Sequence, residues 1–140
     1  MKNEVIVVEK AYKFRMYPNK IQEEIINKTF GCCRFVYNRY LSKRIETYEN
    51  NKETFTYKQC SSDLTSLKKE LEWLKEPDKF ALQNALKDLE NAYKKFFKEK
   101  GGFPKFKSKK TNRFSYRTNF TNGNIEYCGK YIKLPKLGMV

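Results

Sequence analysis

The 140-residue chain has no histidine, and its four cysteines, Cys32, Cys33, Cys60 and Cys128, include no CxxC pair. Adjacent Cys32 and Cys33 cannot easily serve one tetrahedral zinc, so no structural zinc site is expected. No apolar run approaches the roughly 18 residues a membrane-spanning helix needs. The opening MKNEVIVVEK has an apolar run of only four residues before charge resumes. That is too short for a secretion signal. The cysteines are therefore expected to be reduced, partly buried thiols of a cytoplasmic, nucleoid-associated protein.

Acidic residues are scarce beside basic ones: 16 Asp and Glu face 30 Lys and Arg, a formal net charge of +14. A domain this basic repels itself unless something anionic sits on it. Nucleic acid is the first candidate partner and an anionic membrane surface the second. Rings are dense, with 11 Phe and 10 Tyr. Interleaved with lysines, they suit backbone charge plus base stacking. The blander alternative is a ring-rich core under a solubilising lysine surface.

Along the chain, VIVVEKAYKFRMY (residues 5 to 17) starts as an apolar run and then alternates, a strand signal that Pro18 stops. Asn19 with Gln22 forms a capping-box pair. Ile21, Ile25, Ile26, Phe30, Cys33, Tyr37, Tyr40 and Leu41 follow with helical spacing, and Gly31 leaves open two helices or one bent one. Thr56 with Gln59 is a second cap pair, and leucines 64, 67, 71 and 74 carry a helix to Pro77. Asp78 caps the next helix, to about Lys98. In that helix Lys79, Gln83 and Lys87 recur at steps of four, a polar stripe beside an apolar face.

KEKGGFPKFKSKK then packs six lysines into 13 residues. This connector is expected to be mobile when unbound, being self-repelling and poor in apolar surface. After it the period changes to two in FSYRTNF. Asn122-Gly123 is a hairpin-turn dipeptide. Asn124 to Tyr127 and YIKLP read as two further strands.

The fold class expected is α+β: a partial antiparallel β-barrel with a three- to four-helix bundle inserted after its first strand. The boundaries read as 1–18 for the first strand, 19–98 for the helical unit, 99–112 for the connector and 113–140 for the later strands. A separate C-terminal hairpin sheet is the alternative.

Several blocks together resemble one family. They are KAYKFRMYPNKIQEEIINKTFGCCRFVYNRYL, TYKQCSSDLTSLKKE, DKFALQNALKDLENAYKKFFK, GFPKFKSKK, SYRTNFTNGNIEY and IKLPKLGMV. In this order they resemble the TnpB, or OrfB, family of transposon-encoded proteins over nearly the whole chain. The resemblance implies an RNA-guided DNA endonuclease whose N-terminal part is a wedge β-barrel carrying an inserted helical recognition domain of the helix-turn-helix type. It implies double-stranded DNA and guide RNA as partners, and neither a membrane nor a small-molecule substrate. In the family a RuvC-like nuclease domain with acidic metal ligands and a zinc finger follow.

No RuvC carboxylate trio can be assigned here, so the chain alone is not expected to be an enzyme. No cofactor is expected in it, since Mg and Zn belong to those later domains. Cleavage by the 140 residues would point instead to an endonuclease or transposase in its own right. Two further alternatives are a non-cleaving DNA-binding repressor derived from the family and a general basic RNA-binding protein.

The resemblance also implies which side chains read a short DNA motif beside the target: Tyr57, Ser61, Lys79, Phe80, Gln83, Asn84, Thr121 and Asn122. Their chemistry suits base edges, because Gln and Asn both donate and accept, and Lys donates to purine N7 or guanine O6. Each has a structural alternative. Tyr57 and Phe80 can be packing residues, Ser61 can bond its own helix, and Asn122 can be only a turn residue. Lys13, Arg15, Arg34, Lys105, Lys107, Lys109, Lys110 and Arg117 read as phosphate contacts to guide RNA or DNA, which position rather than specify.

Overall fold

The computed structural model describes residues 10–110 and 114–140. In chain order the elements are α1 (Lys20–Asn51), α2 (Tyr57–Glu70), a 3-10 turn (Glu72–Lys75), α3 (Lys79–Lys98), β1 (Glu126–Cys128), β2 (Tyr131–Leu134) and β3 (Gly138–Met139).

Each helix starts where its cap chemistry dictates. Asn19 accepts from the Gln22 amide, while the Gln22 side chain accepts from the Asn19 N–H at 2.8 Å. Thr56 and Gln59 repeat this reciprocal box on α2. Asp78 Oδ1 accepts the Phe80 N–H at 3.1 Å and starts α3. Such caps satisfy N–H groups that have no partner inside the helix. Of the two possibilities left open at Gly31, the unbroken one holds: α1 runs 32 residues through it. Lys52 ends α1 in the left-handed region, its N–H returning to Tyr48 O.

The core is helical. Cys32, Val36, Tyr37, Tyr40 and Leu41 of α1 meet Cys60, Leu64 and Leu67 of α2 and Leu82, Ala85, Leu86 and Leu89 of α3. Burial of each large aliphatic side chain stabilises by about 1.5–3 kcal/mol. Leucines 64, 67, 71 and 74 were expected on one helix to Pro77. Instead α2 ends at Glu70, and its C-cap Leu71, with φ −110° and ψ 88°, leaves helical space. The 3-10 turn then brings Leu74 into the core, and Trp73 packs edge-on against Phe35.

The β part departs further from expectation. The sheet is open and three-stranded, in the order β1-β2-β3, with both pairs antiparallel. No barrel is formed among the described residues. Of the strand expected over 5–17, residues 10–17 form no strand, and 5–9 lie outside the described residues. Tyr12, Phe14 and Tyr17 are exposed there. Alternation alone makes no strand; backbone groups need a ladder partner.

FSYRTNF also forms no strand over its described residues 114–120. Its polar groups go to the helical unit instead. Asn84 Nδ2 donates to Arg117 O at 3.0 Å, and the Thr118 hydroxyl donates to Asp78 Oδ2. Phe114 and Tyr116 pack on Phe30. The period-two pattern is satisfied against helices rather than against strands.

Asn122 and Gly123 both have positive φ, 47° and 71°, so the turn expected there forms. It joins no hairpin, because the segment before it is not a strand. Gly129, with φ 68°, turns β1 into β2 so that Cys128 faces Tyr131. β3 was not anticipated, because two residues carry no detectable period.

Gln22 ties the sheet to α1. Gln22 Nε2 donates to Leu137 O at 3.2 Å and to Met139 O at 2.6 Å. One amide thus caps a helix with its oxygen and holds the last strand with its nitrogen.

Over residues 103–107 the connector is docked, against the expectation of mobility. Asn38 brackets Lys107, its Nδ2 donating to Lys107 O at 2.8 Å and its Oδ1 accepting the Lys107 N–H at 2.7 Å. Phe103 packs edge-on against Tyr93 and Phe96, and Pro104 is buried. The expectation counted charge repulsion but not an asparagine from α1 that can bond both sides of a peptide unit.

Candidate nucleic-acid interface

α2 and α3 lie side by side, and three of the implied motif-reading residues meet between them. Gln83 Nε2 donates to Tyr57 Oη at 2.6 Å and to Ser61 Oγ at 3.0 Å. Tyr57 and Ser61 are four apart on α2, so they sit one turn apart on the same face, towards α3. All three side chains are half-buried. With its amide hydrogens engaged, Gln83 offers Oε1 as an acceptor. The two hydroxyls, already accepting, can each donate outward. One acceptor flanked by two donors is a compact recognition edge.

Lys79, Phe80 and Thr121 form a second group. They line one concavity of about 520 Å³. The Lys79 ammonium lies 5.2 Å from the Phe80 ring centroid, which favours one orientation of a long side chain. The Thr121 N–H donates to Asn124 Oδ1 at 2.7 Å, and Asn124 Nδ2 donates to Asn119 O at 2.8 Å, which shapes the turn beside it. Asn122 sits in that turn, exposed and in left-handed conformation, which its role as turn residue already explains. Lys87, further along the stripe, is exposed.

Asn84 stands apart from the other implied readers. It is 5% exposed, and its amide donates to Arg117 O and to Asn119 Oδ1 at 3.2 Å. It holds the segment after the connector onto α3.

The implied phosphate ligands divide likewise. Arg34, Lys105, Lys107 and Arg117 line one hollow of about 460 Å³, with Phe30, Phe106 and Tyr116 among its walls. Asp88 is the acid in that lining and pairs with Arg117. The Lys107 ammonium lies 4.3 Å from the Tyr37 ring centroid. Lys13, Arg15, Lys109 and Lys110 are exposed and belong to neither concavity. Cys33 lies in the wall of the same hollow. Burial first, and then the neighbouring Cys32, push its thiol up to about 12, so it stays protonated and donates to Ala81 O at 3.5 Å.

Sequence reasoning missed the residues that build this surface. Asn38 was not singled out, and Asp78 was read only as a cap, yet each also bonds a segment far away in sequence, Lys107 and Thr118 respectively. A polar residue recurring at an inward helical position is the signal that points to Asn38. A larger cavity, about 740 Å³, lies at the other end of the helices. Its walls mix aromatic rings with as many charged side chains, the Arg44–Glu90 ion pair at 2.5 Å among them.

A family model described as a helix-turn-helix domain, of the OrfB type, matches residues 7–53. Within that match α1 is one unbroken helix. A Streptomyces pristinaespiralis protein named "Putative RNA-guided DNA endonuclease" is 38% identical over 125 residues, covering 84% of this chain and 31% of the relative. An Escherichia coli K12 protein named "Putative RNA-guided DNA endonuclease InsQ" is 37% identical over 131 residues, covering 91% of this chain and 32% of the relative. "Virulence protein VsdF" of Salmonella dublin is 33% identical over 111 residues, covering 71% of this chain and 93% of the relative. The chain belongs to the TnpB/OrfB family of transposon-encoded proteins. It spans about a third of the length of the first two relatives.

Proposed function

We propose that this chain is a nucleic-acid recognition module that reads a short motif in duplex DNA and holds guide RNA. The Tyr57–Ser61–Gln83 cluster is the base-reading edge, with Lys79, Phe80 and Thr121 beside it. The hollow of Arg34, Lys105, Lys107 and Arg117 takes a sugar–phosphate backbone. Guide pairing would supply the rest of the sequence information, a division of labour that leaves only a short motif for the protein to read.

One observation carries the reading. Residues 22 and 26 positions apart in sequence converge through hydrogen bonds to Gln83, at a half-exposed level between two helices. Tyr57 also packs on the helical core, but the two hydroxyls and the Gln83 amide face one another at the half-exposed rim of that core. An acceptor beside two hydroxyl donors fits the adenine N6 amino group together with N7 or thymine O4. A motif rich in A and T follows. The relatives' names support DNA as the target and RNA as the guide. The net charge of +14 supports a polyanion.

The test is selection from a randomised duplex pool at about 150 mM salt, with and without guide RNA, because phosphate contacts make affinity salt-dependent. An enriched motif whose enrichment is lost in Gln83→Ala supports the reading. Equal recovery of all sequences in both conditions sinks it.

A further inference from the structure

The concavity that holds Lys79, Phe80 and Thr121 has three more cations in its wall. Lys68 comes from α2, Lys75 from the 3-10 turn and Lys136 from the turn between β2 and β3. Four lysines from four parts of the chain thus converge on about 520 Å³. The acid in that wall is Asp78, 5% exposed, with one oxygen on the Phe80 N–H and the other on the Thr118 hydroxyl. Among the described residues, none of the four lysines is in an ion pair. Like charges gathered this way repel, and the strain is relieved by an anion seated between them. Desolvation and then repulsion from Lys79 lower the Lys68 pKa, partly offset by Asp78.

The place of the group says which anion. Lys79 is one turn before Gln83 on α3, and Lys68 is two turns after Ser61 on α2. The lysines therefore border the base-reading cluster on its 3-10-turn side. Leu74, Pro77, Phe80 and Pro135 add apolar wall, which suits sugar carbons beside phosphate oxygens.

We propose that Lys68, Lys75 and Lys136, with Lys79 between them, form a phosphodiester-binding site that seats the duplex backbone against the Tyr57–Ser61–Gln83 edge. It rests on the duplex-reading function proposed above. The site fixes the register in which Gln83 meets a base, and it draws on both the helical unit and the sheet. Its ligand is backbone phosphate, so it is blind to base identity.

The test measures affinity of the full chain for a motif duplex, a scrambled duplex and a single-stranded RNA between about 50 and 300 mM salt. Lys68→Gln, Lys75→Gln and Lys136→Asn are compared with the parent, each checked by thermal melting. Asn keeps the left-handed conformation that Lys136 adopts, with φ 67°. The slope of log affinity against log salt should fall by about 0.9 per lysine on both duplexes, with the preference between them retained. Unchanged slopes on duplex DNA overturn the site, whether or not Gln83→Ala abolishes the preference. Slopes that fall only on the single-stranded RNA overturn it as well. If slopes fall but the parent shows no preference, the phosphate site stands and the base-reading function fails.

Discussion

In the helical unit Tyr40, Leu41, Leu74, Leu82 and Leu89 are at zero exposure, while Phe120, Tyr127 and Tyr131 of the C-terminal part stand 58–73% exposed. Leu137 is the buried apolar side chain of that part among the described residues. The helices are held by apolar burial, which is large and non-directional. The sheet and the segment before it bury less: beside Leu137 and the packing of Phe114 and Tyr116 on Phe30, polar links aim them, Gln22 to Met139 O, Asn84 to Arg117 O and Asp78 to Thr118. Hydrogen bonds are smaller in net energy but fix direction. The difference shows why a nucleic-acid surface can span both parts. One part supplies a rigid wall, and the other is aimed at it by geometry.

The contrast breaks most sharply in the core. Leu86→Ala should destabilise the whole helical unit by about 2–5 kcal/mol in a urea titration, through lost burial and a residual cavity. A loss below about 1 kcal/mol would mean that the helices are not packed as one core.

Gln22→Ala attacks the other part. It removes one bond to β3, at Met139 O, one to Leu137 O just before it, and half of a capping box, a cost of about 1–3 kcal/mol. Hydrogen exchange should show the Ile132 and Val140 amides losing protection while the amides of α3 keep theirs. These two amides carry the last rungs between β2 and the chain end. Uniform loss across both parts would refute the separation.

A pH titration of stability tests the core thiol. Cys33 is raised to about 12 from an ordinary value of 9.0. The folded state therefore holds this proton more tightly than the unfolded chain does. Its contribution is fully present below pH 9 and is lost as pH rises towards about 12. Stability should fall over that window, and Cys33→Ala should flatten the fall. The smallest effect is at Gly31, deep inside α1, where an added Cβ would meet only the end of Arg34, at 3.9 Å. Gly31→Ala should raise stability by about 0.5–1 kcal/mol, seen as a higher melting temperature with unchanged duplex binding.

Legibility followed the range of the interaction. The Asn19, Thr56 and Asp78 caps and the Asn122-Gly123 turn were readable because each is settled within four residues. The breaks were not. That Leu71 leaves helical space, that FSYRTNF pairs with helices, and that residues 10–17 form no strand all depend on what lies opposite. Periodicity records a face but not its partner. The same holds for the candidate interface. Lys79 and Gln83 could be placed on one stripe, yet the spacing carried no sign that Gln83 would bond Tyr57 and Ser61. Nor did the six lysines of the connector suggest that Asn38 would fasten it.

The sequence by itself determined where the helices start, the Asn122-Gly123 turn, the basic character and the family. Those follow from local hydrogen bonds, residue spacing and a charge count, all of which are properties of the chain before it folds. Tertiary structure alone decided that the sheet is open, that Gln22 bonds its last strand and the turn before it, and that Lys68, Lys75, Lys79 and Lys136 share one hollow. Residues separated by dozens of positions meet only when packing chooses their neighbours, and charge converges only where those neighbours are set.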